Sequence, residues 1–173
     1  MPKKIYFITG GARSGKSSFA ERLAAETDGR RAYVATAQAL DEEMASRIAK
    51  HRLDRGDAWD TYEEPLAVAE LLGKLSARYA VVLLDCLTLW LSNVMAHVDT
   101  DGNVVERAEE LLGAVRSFPG TCIIVSNEVG LGIVPDNALA RKFRDMAGMI
   151  NQNMALAADE VYFTAAGIPI RIK

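Results

Sequence analysis

Cysteine is almost missing from this sequence. Two residues, Cys86 and Cys122, stand among 173, which is too few for a disulfide framework. Both fall in apolar, strand-like runs, where buried reduced thiols are expected. An excess of basic charge is missing as well: 20 Lys and Arg against 23 Asp and Glu give a net charge of −3. A general nucleic-acid binder carries the opposite balance. No nucleic-acid partner is therefore expected, and local basic clusters read as sites for small anions. No apolar run approaches the length of a membrane span. The opening "MPKKIYFITGG" is basic, but its apolar run is too short for a signal-peptide core and glycines follow at once. Cytoplasmic location is the expectation. Internal repeats, low-complexity stretches and linkers are also absent. The remaining composition is that of an ordinary globular chain, 50% apolar and 25% charged, so residues 1–173 are expected to form one domain.

Strand-like and helical patterns alternate along the chain. "KIYFITGG" reads as a buried strand, and "KSSFAERLAAET" then has helical spacing. "RRAYVATA" is a second strand. "DEEMASRIAKHRLDR" is a second helix, with Asp41 as its N-cap and Gly56 as its stop. "PLAVAELLGKLSARY" is a helix, and "AVVLLDCLTLW" begins as an apolar strand that reaches Asp85. "ERAEELLGAVRSF" is helical and "GTCIIVSNEVG" is a strand. "DNALARKFRDMAGMINQNMALAAD" is a long helix with Asp136 as expected N-cap. "EVYFTAAGIPIRIK" gives two short strands around Gly167. The strand runs are continuously apolar, as in strands covered on both faces. An α/β fold with a mostly parallel sheet follows, with one antiparallel strand expected at an edge.

The segment "GGARSGKS" comprises Gly10, Gly11, Ala12, Arg13, Ser14, Gly15, Lys16 and Ser17. It fits G-x-x-x-x-G-K-[ST], with a strand before it and a helix after it. Glycines let the backbone turn tightly and aim its N–H groups at phosphate oxygens, and the helix N-terminus adds its positive dipole end. Lys16 is expected to reach the β- and γ-phosphates and Ser17 to bind Mg²⁺. A neighbouring strand end should supply a carboxylate for the same metal, and "VVLLD" offers Asp85. Gly10, Thr36, Asp85 and Glu128 are expected to converge on one sheet edge, where open α/β sheets bind ligands. The fold class is thus a P-loop NTPase-like three-layer fold, and a nucleoside triphosphate is the expected ligand. The motif does not name the reaction.

His51 is one of two histidines. It stands in "SRIAKHRLDRG" among Arg47, Lys50, Arg52 and Arg55. On a helix, Arg47, His51 and Arg55 form one row, beside an apolar row of Leu40, Met44 and Ile48. One reading is a boundary histidine with arginines as a solvated face. The other is a nucleophile that attacks the α-phosphorus of a nucleotide, with arginine forks on the phosphates. The helix end at Gly56 favours imidazolium, whereas the arginines disfavour it. His97 reads as a surface residue in a polar turn. Arg141, Lys142 and Arg144 read either as a solvated helix face or as an anion contact, and the loop before them, with Gly130 and Gly132, suits close approach to a ligand.

The segments "GGARSGKS", "YVATAQALDEEMASRIAKHRLDRG", "LLDCLTLWLSN", "VSNEVGLGIVPDNALARKFRD" and "GMINQNMALAADEVYF" resemble the bifunctional adenosylcobinamide kinase / adenosylcobinamide-phosphate guanylyltransferase family of cobalamin biosynthesis. The resemblance implies phosphorylation of adenosylcobinamide with ATP or GTP. It further implies transfer of GMP from GTP to the new phosphate through a guanylylated histidine, His51 here, with release of pyrophosphate. Beyond the Gly10 to Ser17 loop it implies nucleotide contacts at Ala35, Thr36, Ala37, Arg52, Leu53, Asp54, Arg55, Glu63 and Asp85. Mg²⁺ on Ser17 and Asp85, Lys16 in a catalytic role, a corrinoid partner and a homotrimer complete the expectation. Some relatives carry Glu where this chain has Asp85, which keeps the carboxylate. Two rival readings are a P-loop small-molecule kinase without nucleotidyl transfer and a non-catalytic nucleotide-dependent regulator.

Overall fold

Runs that are apolar at every position become strands with a layer of helix on each face. The computed structural model describes residues 3–39, 42, 46, 58–98 and 100–173. Along the chain these form β1 (Lys4–Gly10), α1 (Lys16–Ala25), β2 (Arg31–Ala35), β3 (Asp60–Glu63), α2 (Val68–Leu75), β4 (Val81–Asp85), α3 (Leu87–His97), α4 (Asp101–Ser117), β5 (Thr121–Val125), α5 (Ala138–Ala157), β6 (Glu160–Ala165) and β7 (Ile168–Arg171). The strands make one sheet in the order β3-β2-β4-β5-β1-β6-β7. Every neighbouring pair is parallel except β6 and β7, which are antiparallel at one edge. The parallel sheet and its antiparallel edge strand agree with the expectation from the sequence.

Successive strand residues point to opposite faces, and the core divides accordingly. Ile5, Phe7, Val82, Leu84, Cys122 and Ile124 pack with α2, α3, α4 and α5. Ile8, Tyr33, Ala35, Val81, Leu83, Ile123 and Val125 pack on the other face with Ala20 and Ala24 of α1. The small alanines of α1 bring that helix close to the sheet. Parity then decides the site: Val81 and Leu83 face α1, so Asp85, two residues further, lies on the same side as Ser17.

Several elements depart from the pattern reading. The apolar run of β4 was expected to reach Asp85, as it does, but Leu87 to His97 then form a helix that received no assignment. Its buried apolar residues, Leu87, Trp90, Leu91 and Val94, do follow a helical period, hidden because they follow the apolar run of β4 so closely in "VVLLDCLTLW". Cys86 accordingly precedes α3 and does not lie in a strand, whereas Cys122 lies in β5; both are buried free thiols. β3 is short and polar, and its pairing with β2 makes it a strand. The N-cap of α5 is Asn137, whose side chain accepts from Ala140 N at 3.1 Å, not Asp136. His97 is exposed as expected, but it ends α3 and does not sit in a turn. Of the helix expected from Asp41 to Gly56, only Glu42 and Ser46 are described, and both are helical.

Candidate phosphate-binding site

The loop from Gly10 to Ser17 joins β1 to α1 at the C-terminal edge of the sheet. Gly10 has φ of 151° and Gly15 has φ of 92°, values that only glycine adopts without strain. Space imposes the same choice. A Cβ on Gly10 would lie 2.3 Å from Thr164 O, and one on Gly15 would lie 3.0 Å from Gly167 Cα. The β6–β7 hairpin therefore backs the loop. Gly167 N donates to Ser14 O at 2.9 Å, and the Ser14 and Thr164 hydroxyls are hydrogen-bonded at 2.7 Å. Gly11, Ala12 and Arg13 form the exposed rim, with Arg13 in the left-handed region at φ 55°.

Gly15 caps α1 without a side-chain hydrogen bond. A glycine cap offers the first-turn N–H groups no side-chain oxygen of its own, and a helix N-terminus favours an anion. Lys16 is buried at 7% exposure, and its ammonium donates to Gly11 O at 2.6 Å, which folds the side chain over the loop. Ser17 Oγ donates to Asp85 Oδ2 at 2.7 Å. The same carboxylate oxygen accepts from Tyr33 OH at 2.7 Å.

This donor set suits Mg²⁺ carried with a polyphosphate. The single proton of Ser17 goes to Asp85, so the hydroxyl turns its lone pairs outward. Among the described residues no group of three or more His, Cys, Asp and Glu could hold a metal by itself. One hydroxyl, one carboxylate and phosphate oxygens are the usual way Mg²⁺ is held. Cys86 offers no thiolate beside this carboxylate: burial, then the Asp85 charge, push its thiol up to about 11. Burial pushes Cys122 up to about 12.

Thr36, fully buried, ties β2 to β4. Its hydroxyl donates to Cys86 O at 2.7 Å and accepts from Cys86 N at 2.9 Å. Asn93 Nδ2 donates to Thr36 O at 2.8 Å and to Pro65 O at 3.1 Å, so α3 fixes Ala35, Thr36 and Ala37 relative to β3. Glu63 ends β3 opposite Ala35 and is exposed. The adjoining Glu64 is committed to α2, accepting from Leu66 N and Ala67 N at 3.0 and 2.8 Å. Glu128 N donates to Gly10 O at 3.0 Å. The expected convergence of Gly10, Thr36, Asp85 and Glu128 is therefore present. Arg141 is exposed and clamps the turn before α5, donating to Pro135 O and Asp136 O at 2.9 and 2.7 Å. Lys142 pairs with Asp101. Both side chains thus have structural partners outside α5, in the preceding turn and on α4.

His51, Arg52, Leu53, Asp54 and Arg55, with Arg47 and Lys50, lie outside the described residues. Tyr33 and Thr164 carry no motif, and the sequence reading did not single them out. They are found only once β2 is registered on β4 and β6 on β1.

Residues 6–172 match the family described as cobinamide kinase / cobinamide phosphate guanyltransferase. The bifunctional adenosylcobalamin biosynthesis protein CobP of Pseudomonas aeruginosa is 49% identical over 166 residues, covering 96% of this chain and 95% of that protein. The protein CobU of Escherichia coli, of the same description, is 40% identical over 181 residues, covering 98% and 99%. Two solved structures share the fold at low identity. The RadB recombinase has a TM-score of 0.53 at 15% identity, covering 92% of this chain and 73% of that one. A KaiC-like protein from Pyrococcus horikoshii has a TM-score of 0.51 at 12% identity, covering 92% and 70%.

Proposed function

The chain belongs to the cobinamide kinase / cobinamide phosphate guanyltransferase family, and from that premise we propose how its residues divide the two reactions. It is a bifunctional kinase and guanylyltransferase of cobalamin biosynthesis, with corrinoid and nucleotide substrates. In our reading, residues 10–17 cradle the triphosphate, with Ala35, Thr36, Ala37, Glu63 and Asp85 along the same sheet edge. Lys16 neutralises charge on the β- and γ-phosphates as it develops. Ser17 and Asp85 would hold the Mg²⁺, which would offset charge on the phosphates.

In the kinase step the aminopropanol hydroxyl of adenosylcobinamide attacks the γ-phosphorus of ATP or GTP. The bond from that phosphorus to the bridging oxygen breaks, the nucleoside diphosphate leaves, and the hydroxyl proton is released. In the second reaction an imidazole nitrogen of His51 attacks the α-phosphorus of GTP and pyrophosphate departs. A phosphate oxygen of adenosylcobinamide phosphate then attacks the same phosphorus. The phosphorus–nitrogen bond breaks, His51 is regenerated and adenosylcobinamide-GDP leaves. Arg52 to Arg55 serve the phosphates of the GTP donor. The loop through Gly130 and Gly132 follows Glu128, which is bonded to Gly10, and so contributes to corrinoid or nucleotide binding. One unit, residues 1–173, carries both steps, and the family resemblance supports a homotrimer.

The observation that carries the reading is the Ser17–Asp85 hydrogen bond of 2.7 Å, at the residue that follows Lys16 in a chain of this family. The test separates the two reactions. His51→Ala should retain most kinase activity and lose corrinoid-dependent pyrophosphate release by a factor of at least about 10³, the scale for removing a nucleophile. A kinase without nucleotidyl transfer would lose nothing on this substitution. A non-catalytic regulator would consume no GTP when adenosylcobinamide is supplied.

A further inference from the structure

We propose that Tyr33 is a positioning residue for the metal–nucleotide site: its hydroxyl locks the Asp85 carboxylate so that Asp85 and Ser17 present a preset pair of oxygens to the cation. The inference rests on the reading that Ser17 and Asp85 hold that cation. It adds a residue from a strand that the phosphate-loop motif does not include.

Register and parity bring the groups together. β2 pairs with β4 so that Tyr33 lies opposite Leu83 and Ala35 opposite Asp85. Side chains two residues apart on a strand share a face, so Tyr33 stands one step below Asp85 on the side covered by α1. A phenol is long enough to span that step, and its hydroxyl reaches Asp85 Oδ2 at 2.7 Å. The Ser17 hydroxyl reaches the same oxygen at 2.7 Å. Rotation of an aspartate about its last torsion is soft and nearly two-fold. Two donors converging on one oxygen from different elements remove that freedom.

Tyr33 is well suited to be the fixed partner. It is 4% exposed, and its ring is held edge-on by Trp59, with centroids 5.8 Å apart and planes at 90°. A water molecule in its place would supply the same proton without the fixed direction. Ser17 also stands next to Lys16, so its position depends on the loop. Of the two donors, Tyr33 belongs to the sheet and sets the carboxylate's orientation independently of the loop. Partners of this kind, which orient a ligand-bearing group, commonly contribute about ten- to a hundred-fold to metal affinity.

The test compares Tyr33→Phe with the wild-type chain by equilibrium binding of a fluorescent, non-hydrolysable GTP analogue across a Mg²⁺ series and in EDTA. Phenylalanine keeps the ring and its packing on Trp59 and removes only the donor. The Mg²⁺ concentration that half-maximally tightens binding should rise about tenfold, while affinity in EDTA stays unchanged. Raising Mg²⁺ should restore kinase turnover. Asp85→Asn is measured in parallel and should lose the Mg²⁺ effect altogether. If Asp85→Asn loses it and Tyr33→Phe matches the wild type, Tyr33 is not a positioning residue although the metal reading stands. If Asp85→Asn keeps the Mg²⁺ effect, the metal reading fails and takes this inference with it. Equal weakening of Tyr33→Phe with and without Mg²⁺ marks a structural role and overturns the proposal.

Discussion

Gly10 and Gly11 are adjacent, yet their demands differ. A Cβ at Gly10 would meet Thr164 O at 2.3 Å in a backbone with φ of 151°, whereas a Cβ at Gly11 would meet nothing within 4 Å. Gly10→Ala should therefore lower stability by roughly 2 kcal/mol or more, since the residue must shift both its own backbone and the hairpin. Gly11→Ala should stay within about 0.5 kcal/mol. Urea midpoints of the two variants measure the contrast. The motif fixes glycine at position 10 and leaves position 11 open, and the neighbouring hairpin supplies the physical reason. Tyr33 has no such motif behind it. The placement of Lys16, Ser17 and Asp85 near one another is legible because a strand end, a loop of fixed spacing and a helix start position them. A tyrosine in "RRAYVATA" acquires its partner from strand register, which no local pattern encodes.

Elements were legible in proportion to their periodicity. β1, β4 and β5 each carry an unbroken apolar run, Ile5 to Ile8, Val81 to Leu84 and Cys122 to Val125, and the pattern locates them. α3 was hidden because its apolar residues follow those of β4 with only Asp85 and Cys86 between them. β3 carries too little apolar surface to announce itself and exists through its ladder with β2. Adjacent capping residues, Asp136 and Asn137, are equivalent in sequence, and the turn clamped by Arg141 selects the second. The β6–β7 hairpin was foreseen as an edge, but not as the brace of the phosphate loop. Thr164 tests that brace. The side chain is 1% exposed and bonded to Ser14 Oγ. Thr164→Val keeps the shape and removes the hydroxyl, leaving a buried Ser14 hydroxyl short of a partner at a cost of about 1–3 kcal/mol. Thermal unfolding should record the loss, and GTP affinity should weaken with it, because the loop's rear support is gone.

Across the whole molecule, the first strand is held by the last hairpin. Ile5 N donates to Asp159 Oδ2 at 2.7 Å, and Lys4 forms an ion pair with Glu160. The Lys4 ammonium, then the Tyr162 hydroxyl, hold the Glu160 carboxyl below the usual glutamate range. The sign follows directly. A carboxyl with a depressed folded pKa contributes its full stability above the unfolded value, near 4.3, and loses it as pH falls through the folded value. Lys4 is shifted upward, first by Glu160, so its share is lost only as pH rises above the ordinary lysine range. Glu160→Gln should therefore narrow the difference between urea midpoints at pH 7 and below pH 4, and an unchanged difference would place the acid sensitivity elsewhere. The proposed chemistry also joins distant parts of the chain, since the cradle follows β1 and His51 lies between β2 and β3. Peptide mass spectrometry of enzyme quenched during turnover with GTP tests that claim most directly. One guanylyl unit on the peptide containing His51, absent from His51→Ala, is the predicted result. Product accumulating while that peptide stays unmodified in time-resolved quenches would contradict it.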